Sequence, residues 1–139
     1  LLTGVQMEVG RVATPFKYES YGDNLERCQR YYYVHSDGDS KPLGTGVAEA
    51  TAAPSWTMDF PTSMRTAPSI LVQEGTNYYT SYGGGSTDTF DGFLLDDISI
   101  NSAYLYSSAA KNAGGLTAGR GLIVTTSNAS AKVAFDADL

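Results

Sequence analysis

The residues of this sequence best suited to recognition chemistry fall within one stretch. Between positions 73 and 92 stand Asn77, Tyr78, Tyr79, Tyr82, Asp88 and Asp91, interleaved with Gly, Ser and Thr and almost without aliphatic side chains. A sugar ring offers C–H groups on its faces and hydroxyls on its rim. Tyrosine supplies a flat apolar surface for the former, while Asp, Asn and backbone groups bond the latter. Tyrosine also loses little conformational entropy when held, so segments rich in Tyr, Ser, Gly and Asn suit recognition. The single tryptophan, Trp56, is a further stacking candidate. Its alternation with Met58 and Phe60 argues for burial instead.

Groups for covalent or acid–base chemistry are sparse. His35 is the only histidine and follows a tyrosine run, which reads as a structural position rather than a general base. No nucleophile elbow, zinc-protease helix, Walker loop or dinucleotide fingerprint occurs. Gly83-Gly84-Gly85 does not precede a helix and so is no phosphate cradle. Paired carboxylates suffice for glycoside hydrolysis, which brings Asp96/Asp97, Asp88/Asp91 and Asp37/Asp39 into view. Neighbours on a strand point to opposite faces, which separates Asp96 from Asp97. Asp88 and Asp91 lack the apolar walls that raise a carboxyl pKa. All three pairs read as solvated turn carboxylates, and the chain reads as no enzyme. Asp37-Gly38-Asp39 has oxygen ligands at alternate positions but not the later bidentate Glu of a calcium loop. No metal or cofactor is implied. Cys28 is alone, excludes an intrachain disulfide, and reads as a small buried apolar group.

Positioning these residues falls to a β-rich scaffold. The 139 residues suffice for one domain with its own core. A formal net charge of −6 with no Lys/Arg cluster argues against nucleic acid and anionic membrane surfaces. Apolar runs such as Ile70-Leu71-Val72 are far too short for membrane insertion. Val5-Gln6-Met7-Glu8-Val9 alternates as a half-buried strand does. Asp23 with Glu26 predicts the capping box of a short helix that buries Leu25 and Cys28. Tyr31-Tyr32-Tyr33-Val34-His35 favours a strand, and its three tyrosines cannot all face one way. Asp37-Gly38-Asp39-Ser40 predicts a hairpin turn. Strands are then expected at 44–48, 56–60, 69–73 (central), 93–95, 98–100, 103–106, 122–125 and 132–136, with a loop from Pro61 to Pro68. The segments 73–92 and 112–121 read as tip loops, with a hairpin left open for part of each. The fold class is an all-β antiparallel sandwich or jelly roll with one short N-terminal helix.

Two motifs carry a family resemblance. Gln6-x-Glu8-x-Gly10-x-x-Ala13-Thr14-Pro15-Phe16, followed by Leu25-x-x-Cys28-Gln29-Arg30-Tyr31-Tyr32, resembles the C-terminal region of bacteriophage tail-fibre and related virion attachment proteins. Val133 to Leu139 resembles the terminal strand of such modules. The resemblance implies that residues 1–18 are a lead-in strand or linker from a preceding domain, and 19–139 the β-rich module at a fibre tip. It implies an extracellular, virion-borne role in host-cell attachment, without catalysis; a cell-surface glycan as the partner is the reading of the 73–92 tyrosines, not of the resemblance. It also implies a homotrimer, in which surplus tyrosine surface is buried between subunits. The alternative it leaves is a structural trimerisation or capping module with no ligand of its own.

Overall fold

The computed structural model describes residues 11–12, 14–15 and 18–138. The strand expected at Val5–Val9 lies outside the described residues, as does Leu139. The first element is helix α1, Tyr21–Gln29. Its cap is Ser20, whose hydroxyl accepts from the Asp23 N–H at 3.2 Å and donates to the Asp23 carboxylate at 2.8 Å. The N-cap is therefore Ser20, three residues earlier than the expected Asp23, with Asp23 as its hydrogen-bonded partner in place of Glu26. A second correction concerns burial. No α1 side chain is buried: Leu25 is 41 % exposed and Cys28 lies open to solvent. The i, i+3 spacing of those two made an apolar face, and no described element lies over it.

Ten strands come after it: β1 (Tyr32–Asp37), β2 (Pro42–Ala50), β3 (Ala53–Asp59), β4 (Ser69–Val72), β5 (Tyr79–Gly83), β6 (Ser86–Phe90), β7 (Leu94–Ile98), β8 (Ser102–Tyr106), β9 (Gly121–Thr126) and β10 (Lys132–Asp136). They form two antiparallel sheets, an all-β sandwich with one short helix at its N-terminal side. The small sheet runs β1-β10-β4, and the large one β6-β5-β9-β2-β3-β8-β7. No helix among the described residues is long and apolar enough to cross a membrane.

Several local expectations are redirected by this topology. The 37–40 turn does not close a hairpin, because β1 belongs to the small sheet and β2 to the large one. Gly38 (φ +98) turns the chain across the gap, tied to the Ala131 carbonyl at 2.9 Å. Strand β4, expected at the centre of its sheet, is an edge, since β10 fills that centre. The stretches 93–95 and 98–100 are not two strands: β7 begins in the first and ends at Ile98, the start of the second, with a register shift between Leu95 and Asp97. The hairpin left open for part of the 73–92 segment is present and takes up much of it. Gly84 (φ +60) and Gly85 (φ +83) supply the left-handed pair that joins β5 to β6.

The core lies between the sheets. Trp56, Met58 and Phe60 line the inner side of β3, as their alternation required. Trp56 packs edge-on to Phe93 at 4.9 Å, Tyr79 packs on Phe93 at 4.9 Å, and Phe60 meets Phe135 of the small sheet at 4.9 Å. Each such buried ring stabilises the fold by roughly 1.5–3 kcal/mol. Two glycines let strand β2 lie close on β3: a Cβ on Gly46 would collide with the Ser55 carbonyl and the Trp56 backbone, and one on Gly44 would crowd the indole at 3.0 Å.

Candidate functional site

The period of β5 splits the tyrosine cluster that the sequence groups together. Tyr79 points inward and is 0 % exposed. Its hydroxyl donates to the Gln73 carbonyl at 2.7 Å and reaches the Lys132 carbonyl at 3.4 Å, bridging toward the small sheet. Burial pushes its pKa far above the ordinary tyrosine value. Trp56, 1 % exposed, is likewise enclosed. Neither ring can stack on a ligand, and both leave the candidate set. Tyr78 is half-buried, packed beside the core with its ring over Gly75.

The acidic candidates of this segment act as fasteners. Asp91 accepts the Asn77 N–H at 2.9 Å with one oxygen and the Asn112 side-chain amide at 2.9 Å with the other. Asp88 accepts the Gly114 N–H at 2.8 Å, and its partial burial raises its pKa. Lys111 bonds both oxygens of Glu74 at 2.6 Å. These contacts tie the 107–120 connection to the β5–β6 hairpin and leave the carboxylates occupied. Asn77 is exposed, in a left-handed turn (φ +57). Tyr82 alone keeps an open ring, 48 % exposed on the outer face of the large sheet.

That outer face holds a feature the sequence pattern does not announce. A groove of about 320 Å³ opens across β3, β8 and β7, lined by Thr57, Asp59, Asp97, Ser99, Ser102 and Tyr104. Asp59 and Thr57 alternate with the buried Trp56, Met58 and Phe60, so β3 delivers them outward as a pair. Tyr104 sits directly opposite Thr57 on one side and Asp97 on the other. Asp59 has no hydrogen-bond or ion-pair partner among the described residues, and Asp97 spends one oxygen on the Ile98 N–H at 2.8 Å. No Lys, Arg or His lines the groove.

Tyr104 is held in place from beside the groove. Its hydroxyl donates to Glu49 of β2, and the same carboxylate oxygen accepts from Ser55 at 3.0 Å. The Tyr104 hydrogen bond, then that of Ser55, holds Glu49 below its ordinary value, and the same bond raises Tyr104. The aromatic ring is thus oriented before any ligand arrives.

His35 lies away from this groove. Its Nε2 bonds the Leu43 carbonyl at 2.9 Å and its Nδ1 meets the Tyr33 hydroxyl at 3.2 Å. It links β1 to β2 across the two sheets, and burial lowers its pKa. Asp37, the calcium candidate with Asp39, pairs with Lys132 at 3.5 Å. Among the described residues no three His, Cys, Asp or Glu side chains gather as a metal site.

Sequence reasoning missed Asp59, Tyr104 and Glu49, and set Asp97 aside. The available signal was the outward half of each alternating strand, read as solvent face rather than as site. No family model matches the chain, and no curated protein or solved structure matches it either.

Proposed function

We propose that this chain is a non-enzymatic carbohydrate-binding module whose ligand sits in the groove on the outer face of the large sheet. The observation that carries the reading is a fixed tyrosine ring beside unsatisfied carboxylate oxygens and hydroxyls in one open, polar concavity. A pyranose stacks its C–H face on Tyr104 and donates its hydroxyls to Asp59 and Asp97, with Thr57 as a further partner. The carboxylates and the absence of any cation in the lining favour uncharged sugars over acidic ones. Such a site is shallow and weak, and gains strength from repetition in an assembly. The resemblance of residues 6–16 and 25–32 to phage tail-fibre proteins supports placing the module at a virion fibre tip, with a host-cell glycan as partner.

The test is a glycan array followed by titration calorimetry on the wild type, Asp59→Ala and Asp97→Ala. A lost charge-assisted hydrogen bond is worth about 1.5–3 kcal/mol, a tenfold or greater loss of affinity for each variant. Thermal stability should hold, because both side chains are exposed. A saccharide whose binding both variants retain in full would sink the proposal.

A second reading rests on the opposite side of the molecule. The outer face of the small sheet exposes Tyr32, Val34 and Leu71 around Ala134, along a groove of about 460 Å³, and α1 buries no side chain. A structural role, in which further copies of this chain cover those surfaces as a homotrimer, would bury them. Light scattering that returned a monomer at high concentration would remove this reading.

A further inference from the structure

The groove is one end of a longer feature. Tracing direct cross-strand partners over the large sheet gives one continuous row: Thr87, Tyr82, Ile123, Thr45, Thr57, Tyr104 and Asp97. Every strand of the sheet contributes one member. Directly opposed residues in antiparallel pairs share a face, so the whole row lies on the solvent side. Tyr82 is 48 % and Ile123 51 % exposed, side by side, with nothing described above them. The hydroxyls of Thr87, Thr45 and Thr57 have no side-chain partner among the described residues. No Lys or Arg stands in the row.

Taking the groove as a saccharide site, we propose that the ligand is an extended, uncharged oligosaccharide lying across the strands, with Tyr104 and Tyr82 as two separate stacking stations. Four strand spacings separate them, roughly 19 Å at about 4.8 Å each, which is too far for one ring and suited to a short chain. Between the stations, Ile123 offers an apolar floor, while Thr45 and Thr57 offer hydroxyls that both donate and accept. The arrangement repeats what the groove does once: ring faces on aromatic or aliphatic carbon, rim hydroxyls on oxygen. Adjacent strands also rotate by roughly 20–25°. The row therefore turns as it crosses the sheet, and it fits a flexible single chain rather than the flat face of a crystalline polymer.

The test uses neutral gluco-, manno- and N-acetylhexosamine oligosaccharides of increasing length, from the monosaccharide to the hexamer. Each is titrated into the wild type, Tyr82→Ala, Tyr82→Thr and Asp59→Ala. Affinity for one of these series should rise at least tenfold with length in the wild type. In both Tyr82 variants the hexamer should bind no better than the monosaccharide does. The Thr variant, a good strand former, separates loss of the ring from loss of strand order. In Asp59→Ala every length should weaken. Length-independent affinity, or a hexamer indifferent to Tyr82, would overturn the track and leave the groove standing. Failure of every length in every series would overturn the groove and the track together.

Discussion

Tyr79 and Tyr82 stand three residues apart on β5 and face opposite ways, one sealed in the core and one in solvent. Their substitutions should differ accordingly. Tyr79→Ala removes a fully buried ring and its bridge to Gln73 and Lys132, a cost of about 3–5 kcal/mol in urea unfolding. Tyr82→Ala should cost less than about 1 kcal/mol in the same measurement, the span of strand propensity. His35 makes a pH prediction. Burial favours its neutral ring in the fold, so the unfolded chain takes up the proton first as pH falls. Its contribution to stability is complete above the ordinary histidine value and is lost as pH drops through that value toward the folded one. Denaturant unfolding at pH 7.5 and 5.5 should show a smaller difference in His35→Gln than in the wild type. An identical difference would mean that His35 titrates alike in both states. Both contrasts arise from one residue's side of one strand, which alternation makes legible. Which side becomes the core is a property of the partner sheet, and that was not.

Glycine placement is what lets β2 lie against β3. Gly46 faces Trp56 in register, and any Cβ there meets backbone that cannot swing aside. Gly46→Ala should lower stability by about 1–3 kcal/mol, at the upper end of that range, with the loss visible as a depressed Tm. At this scale the sequence disclosed most strands and the 61–68 loop, because period 2 and turn residues are local signals. Pairing was a different matter. The Asp37-Gly38 turn signal was real, yet it carried the chain from one sheet to the other, since turn residues bend the chain without naming the strand it will pair with. The i, i+3 pair Leu25 and Cys28 described an apolar face correctly and its burial wrongly, because burial needs a neighbour that no local pattern names. The candidate groove was illegible for the same reason. Asp59, Asp97 and Tyr104 come from three strands and meet only through register, leaving no contiguous motif.

The two sheets are unequal, and this sets the layout of the whole molecule. Three strands and the connecting loops cover the inner side of seven, and no described residue covers the outer side of those seven, which forms a broad face. The small sheet, moreover, hangs on one strand: among the described residues β1 and β4 do not pair with each other, and each pairs with β10 alone. In sequence, β1 and β10 lie roughly a hundred residues apart, a separation typical of chains that fold in milliseconds to seconds rather than microseconds. Stopped-flow refolding should fall in that range. A variant lacking residues 132–136 should lose cooperative unfolding altogether, because Val133 and Phe135 leave the core with it. During synthesis, then, β1 waits for β10. Until β10 is made, β1 and β4 lack the strand that pairs with each of them and the apolar lining of the large sheet stays uncovered, so the nascent chain is most prone to aggregate in the interval between β4 and β10.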